Sequence, residues 1–166
     1  MHKALYAVAT VLTMALWAKP AAAIQPTVLF NPHTNMCLEP QNRSTLQGTA
    51  IVQQPCDNST AQEWLLIWLD PTVVQFKNVL TGMCLDARGG AANHTPVQQW
   101  TCNKITNEWW QPFPPAKGST IAPIQSAVAR SKGYCLDIPG GQSTAGLAMQ
   151  IYKCNDTVSQ LWKAII

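Results

Sequence analysis

The sequence of 166 residues predicts an all-β protein assembled from three copies of one disulfide-stapled unit. A triplicated motif, short β-rich apolar runs set between turn residues, and the lack of a 3.6-residue hydrophobic period beyond the leader all point to this class. Cys37-Leu38-Glu39 leads to Cys56 and Gln62-Glu63-Trp64. Cys84-Leu85-Asp86 leads to Cys102 and Asn107-Glu108-Trp109. Cys135-Leu136-Asp137 leads to Cys154 and Gln160-Leu161-Trp162. The paired cysteines lie 19, 18 and 19 residues apart, and the first cysteines recur after 47 and 51 residues. A period of that size is the mark of a copied supersecondary unit.

Taken in chain order, the leader comes first. Met1-His2-Lys3 is a short positive start, Ala4 to Ala18 is an apolar run, and Ala21-Ala22-Ala23 offers small residues for cleavage after Ala23. The run is shorter than the roughly 18–20 residues that span a bilayer. Residues 1–23 therefore read as a signal peptide, and 24–166 as one domain with its own core. The alanine-rich leader points to a bacterial source and to a secreted or periplasmic protein.

Copy one runs from about residue 27 to 70, copy two from 72 to 116 and copy three from 119 to 166. Pro71 and Pro112-Phe113-Pro114-Pro115 mark the joints, because proline interrupts ladder hydrogen bonding. Strands are expected at Val28-Leu29-Phe30, Ala50-Ile51-Val52, Val73-Val74-Gln75-Phe76 and Met149-Gln150-Ile151-Tyr152. Asn31-Pro32, Gly89-Gly90 and Pro139-Gly140-Gly141 supply the turns. A unit of about four strands buries no face by itself, so the copies are expected to close into a threefold barrel that leaves few free edges. Trp64, Trp109 and Trp162 are then equivalent core residues, with Leu38, Leu85 and Leu136 as neighbours. Trp68 and Trp110 fall outside the repeated pattern.

An even count of six cysteines in an exported chain favours disulfides. Fifteen pairings are possible in principle, and the repeat selects Cys37–Cys56, Cys84–Cys102 and Cys135–Cys154. A metal site is disfavoured because there is no close Cys-x-x-Cys pair and His33 and His94 stand alone in sequence. Without Lys3 and Lys19 the chain carries nine Lys and Arg against eight Asp and Glu. No basic, aromatic-laced cluster recommends a nucleic acid or an anionic membrane as partner. Charged residues make up only 11% of the chain, and the abundant Gln, Asn, Ser and Thr suit a neutral, hydroxyl-rich ligand.

The triplicated Cys-Leu-Asp, glycine-rich loop, Val-Gln-x-aromatic-x-Cys and Gln-x-Trp pattern resembles the ricin B-type lectin domain over essentially the whole mature chain. The resemblance implies a β-trefoil with pseudo-threefold symmetry, sugar pockets, and no catalysis by the domain itself. In that family the acid of the triplet accepts from sugar hydroxyls and the aromatic two residues before the second cysteine stacks on the ring. The glutamine two residues before that aromatic, and the amide opening Gln-x-Trp, complete or brace the pocket. Carried over residue by residue, this implies Asp86, Gln98, Trp100 and Asn107 in copy two, and Asp137, Gln150, Tyr152 and Gln160 in copy three. Copy one departs from the pattern: Glu39, Val52 and Gln54 stand where acid, amide and ring belong, so it reads as structural. Thr106 and Ser159 stand where an asparagine commonly precedes Gln-x-Trp.

The chemistry agrees with the family's pattern. A pyranose offers hydroxyls along its edge and C–H groups on one face. A carboxylate accepts from the hydroxyls, an amide donates and accepts, and a flat ring covers the C–H face. The expected function is that of a secreted lectin recognising galactose-type or related glycans, with no cofactor and no metal. The alternative is an accessory chain of a secreted toxin, or another protein-interaction trefoil with a toxin or enzyme chain as partner. Neither a Ser-His-Asp arrangement nor a phosphate loop suggests an enzyme.

Overall fold

A computed structural model describes residues 25–90, 92–112, 120–127 and 133–165. The leader at residues 1–23 lies outside the described residues, as does the proline-rich joint after Pro112. Twelve strands are described. Copy one holds β1 (Thr27–Asn31), β2 (Met36–Pro40), β3 (Ile51–Pro55) and β4 (Glu63–Asp70). Copy two holds β5 (Val73–Asn78), β6 (Cys84–Ala87), β7 (Thr95–Trp100) and β8 (Trp110–Pro112). Copy three holds β9 (Ala122–Ser126), β10 (Tyr134–Asp137), β11 (Gln150–Lys153) and β12 (Leu161–Ile165).

The first and last strands of each copy pair in a closed antiparallel ring: β1–β4, β4–β5, β5–β8, β8–β9, β9–β12 and β12–β1. Closure gives every barrel strand two partners and removes the free edges. The middle strands form three hairpins, β2–β3, β6–β7 and β10–β11. These meet through the β7–β11 pairing and the bridges Ala50–Gln98 and Val52–Ala148. A six-stranded barrel with a threefold hairpin cap is a β-trefoil, as the repeat and the family resemblance led one to expect.

The core repeats in threes because the sequence does. Leu29, Phe76 and Ile124 hold the same place in the first strand of each copy, and all are buried. Leu38, Leu85 and Leu136 are completely buried. Each accepts a hydrogen bond on its carbonyl from an indole Nε1: from Trp64 at 3.1 Å, Trp110 at 2.9 Å and Trp162 at 3.0 Å. The bond removes the main objection to burying tryptophan, an unsatisfied N–H in an apolar site.

These bonds correct one expectation. The core tryptophan of copy two is Trp110, fully buried, and not Trp109, which is half-buried. A 3₁₀ turn over Thr106–Glu108 precedes Trp109, as the turn over Val158–Gln160 precedes Leu161. Trp109 is thus the counterpart of Leu161, and Glu108 that of Gln160. A constant interval in the sequence carries the same information: each core tryptophan follows the second cysteine by eight residues. Anchoring on a Gln-x-Trp-like spelling hid it, since two adjacent tryptophans can each satisfy the pattern.

The three expected disulfides form, Cys37–Cys56, Cys84–Cys102 and Cys135–Cys154, each with Cα atoms 5.1 Å apart. Each ties the start of the middle hairpin to the segment entering the last strand, and a loop of this size restrains the unfolded chain by about 3 kcal/mol. Trp110→Ala should lower the stability of the oxidised protein by about 3–5 kcal/mol in denaturant unfolding. Trp109→Ala should cost roughly half of that or less, because its indole is only partly buried. Equal losses would overturn the assignment of Trp110 as the core residue.

Candidate functional site

In copies two and three, strand register brings the acid, amide and ring to one end of the middle hairpin. Asp137 pairs with Gln150 and Cys135 with Tyr152 across β10–β11. Asp86 pairs with Gln98 and Cys84 with Trp100 across β6–β7. Residues two apart on a strand point to the same face, so acid, amide and ring share it.

In copy three these groups line an open cavity of about 530 Å³ with Ile138, Gly140, Gly141, Asn155, Thr157, Val158 and Ser159. Asp137 is held from behind by two amides. Gln150 Nε2 donates to Oδ2 at 2.7 Å and Gln160 Nε2 donates to Oδ1 at 3.0 Å. Gln160 also donates to the Lys153 carbonyl at 3.1 Å and accepts from the Asn155 N–H at 2.9 Å. It is buried and braces the acid rather than facing the cavity. Burial pushes the Asp137 carboxyl above the usual carboxylate range, and the two amides and the nearby His94 pull it part of the way back.

His33 and His94 also line this cavity, one from copy one and one from copy two. In the sequence they stand alone, and nothing in their local pattern marks them as pocket residues. His94 Nδ1 lies 3.0 Å from Gln150 Oε1, and its ring meets Tyr152 edge-on with centroids 5.1 Å apart.

Copy two repeats the acid, amide and ring but alters the brace. Gln98 Nε2 donates to Asp86 Oδ1 at 2.8 Å, and Trp100 is half-buried beside it. The corrected register puts Glu108, not Asn107, in the place of Gln160. Glu108 is wholly buried and accepts from the Asn103 N–H at 3.0 Å, the Lys104 N–H at 3.1 Å and Gln75 Nε2 at 2.6 Å. A carboxylate cannot donate to Asp86 as an amide would. Burial pushes both carboxyls upward, and the charge of Asp86 pushes Glu108 further. Asn107 moves to the counterpart of Ser159, a cavity-lining position in copy three.

Copy one has the same scaffold with its acid already engaged. Gln62 Nε2 donates to Glu39 Oε2 at 2.9 Å, and Arg43 Nε lies 3.6 Å from Glu39 Oε1. Arg43 also pairs with Asp57. Val52 is buried, and Gln54 stands where Trp100 and Tyr152 stand in the other copies. The guanidinium occupies the acid that a ligand would need.

Elsewhere, Trp68 near the β4–β5 turn is 57% exposed, while Trp110, equally unassigned by the repeat, is core. Among the described residues no cluster of His, Cys, Asp and Glu is arranged to hold a metal ion. No described helix is long and apolar enough to cross a membrane.

The model of the ricin-type beta-trefoil lectin domain-like family matches residues 25–100 and 66–129. A cytolethal distending toxin subunit from two strains of Campylobacter jejuni is 41% identical over 61 residues, 36% of this chain. The match spans only 20% of those relatives. A designed threefold-symmetric protein, ThreeFoil, superposes with a TM-score of 0.79 at 19% identity, covering 85% of this chain and 98% of that one. The Macrolepiota procera ricin B-like lectin in complex with lactose gives 0.73 at 16% identity, over 89% of this chain and 99% of that one. The Haemophilus ducreyi cytolethal distending toxin gives 0.67 at 16% identity, over 89% and 87%. At such identities the three structures speak for the fold alone. The family model spans residues 25–129, more than half of the chain, covering copies one and two and the first strand of copy three. The chain therefore belongs to the ricin-type beta-trefoil lectin domain-like family.

Proposed function

We propose that this protein is a secreted lectin that binds galactose-type or related neutral glycans through the pockets of copies two and three. The observation that carries the reading is the convergence of Asp137, Gln150 and Tyr152 on one open cavity, with the same three kinds of group repeated at Asp86, Gln98 and Trp100. A carboxylate steadied by buried amides is preorganised to accept from sugar hydroxyls, and the neighbouring ring offers a flat apolar wall. Asn107 offers a further amide in copy two, at the position where the family pattern places a sugar-bonding asparagine. Two weak pockets on one rigid scaffold gain by avidity on a multivalent glycan surface. Export rests on the reading of residues 1–23.

A second reading, accessory chain of a secreted toxin, is favoured by the 41% identity to the Campylobacter jejuni cytolethal distending toxin subunit over 61 residues. It is compatible with sugar binding, since one face can engage a partner chain while the pockets stay open. A neighbouring gene for a catalytic chain that co-purifies with this protein would support it. Strong glycan binding with no partner encoded nearby would count against it.

Joint replacement of Asp86 and Asp137 by Ala should weaken binding on a glycan array by at least about tenfold, through loss of charge-assisted hydrogen bonds. Circular dichroism should report the same fold. Undiminished binding by the folded double variant would remove both residues from the site.

Acidification should act in opposite directions on binding and on stability. A carboxyl whose pKa is higher in the folded than in the unfolded chain is unfavourable to folding while ionised, and that cost disappears as pH falls through the folded value toward the unfolded one. Asp86, Glu108 and Asp137 are all raised in this way. Protonation should therefore relieve the fold while removing the ionised acceptors from the pockets. Asp86→Asn, whose amide can donate to Glu108, should be more stable than the unmodified protein at neutral pH by on the order of 1 kcal/mol. That gap should close as pH is lowered. A gap independent of pH would rule out the carboxyl pair as its source.

A further inference from the structure

Three loops, one from each copy, lean on the hairpin of the next copy in the same way. Gly48 donates its N–H to the Gln99 carbonyl at 2.9 Å, His94 to the Ile151 carbonyl at 3.1 Å, and Gly146 to the Gln53 carbonyl at 2.8 Å. The acceptors are equivalent, for Gln53, Gln99 and Ile151 are the strand partners of Leu38, Leu85 and Leu136. All three donors have a left-handed backbone, with φ of 82° at Gly48, 65° at His94 and 80° at Gly146. Glycine adopts this conformation freely, whereas a residue with a Cβ is strained there. Two copies use the residue that the backbone favours. The middle copy uses histidine.

The direction of the histidine side chain accounts for its presence. A Cβ placed on Gly48 would point at pocket two, 3.6 Å from the Trp100 ring and 4.0 Å from Gln98 Oε1. His94, at the equivalent point, reaches the equivalent groups of pocket three, Tyr152 and Gln150. Gln150 gives its amide nitrogen to Asp137, so the oxygen is what faces His94. The proton on that contact must then belong to Nδ1. Imidazole Nε2 is left as the ring's second polar atom on the rim of the cavity.

We propose that His94 is a specificity-determining residue of pocket three, contributed by copy two. It fixes the orientation of Gln150, extends the Tyr152 wall with a second ring, and offers Nε2 as an acceptor to a hydroxyl of a neutral sugar. Pocket two has only Gly48 at that place, so the two pockets are not equivalent and select different glycans. A left-handed histidine held in position by its neighbours is the kind of local strain that a functional contact explains.

The inference rests on the reading of both pockets as sugar sites, and the test separates the two. Binding to an array of neutral oligosaccharides, followed by titration with lactose or with the strongest neutral array ligand, would be measured in two backgrounds. Asp86→Ala leaves pocket three alone, and Asp137→Ala leaves pocket two. His94→Gly should lower affinity by about tenfold or more in the Asp86→Ala background. It should change nothing in the Asp137→Ala background. His94→Asn, which tolerates the left-handed backbone and retains a donor for Gln150, should recover part of the loss. In the ligand-free protein, nitrogen-15 NMR of the neutral His94 ring should find the proton on Nδ1. An unchanged affinity of His94→Gly in the Asp86→Ala background, or a proton on Nε2, would overturn the role of His94 while leaving the lectin reading intact. No binding in either background would overturn the lectin reading itself.

Discussion

The hydrogen bond from an indole N–H to the carbonyl of the leucine in Cys-Leu-acid holds the rest of the structure in place. It joins the last strand of each copy, which belongs to the barrel, to the first strand of the hairpin cap. The leucine that accepts it is flanked by the cysteine of the staple and by the acid of the candidate pocket. One short segment therefore sets the core, the covalent restraint and the site together. A shift of that strand by one residue would turn the leucine outward and the acid inward, which makes the register strongly specified.

That constraint explains how three copies can differ at their hairpin ends without diverging in fold. Leu29, Phe76 and Ile124, the triplet leucines and the core tryptophans remain apolar in all three copies, while the acid, its amide partner and its ring lie at the hairpin ends and are free to vary. Copy one has closed its own pocket with Arg43 on Glu39. Copy two has exchanged an amide brace for Glu108, and Gln75 in the neighbouring strand donates to the new carboxylate. Copy three keeps both amide donors on Asp137 and takes a histidine from the copy before it. Pseudo-symmetry thus sets three equivalent acids in unlike surroundings, one ion-paired, one beside a buried glutamate and one on an open cavity.

Burial of carboxyls in a protein with so few charges follows from the same design. Asp86, Glu108 and Asp137 are each shielded from water by the hairpin and the turn beneath it, and each is compensated chiefly by N–H donors. Glu39, the buried acid of copy one, is met by a guanidinium as well as by the Gln62 amide. Acceptors held by amides keep an unoccupied lone pair for a ligand, whereas an ion pair uses it internally.

Most of the fold was legible in the sequence because its signals are periodic and local. The recurring cysteines determined the disulfide pairing, and the repeated triplet with its short β-rich runs determined a threefold all-β architecture. The alternation of acid, amide and aromatic along paired strands followed from a side-chain period of two. Only the tertiary structure decided between Trp109 and Trp110, since adjacent tryptophans both match a short motif and burial chooses one face of a strand. Only it put Glu108 behind Asp86, Arg43 onto Glu39, and His94 beside Gln150, 56 residues further along the chain. Contacts of that last kind arise between copies, from how three units close around a barrel. No repeat within a copy encodes them, because their partners share a place in space and not a place in the period.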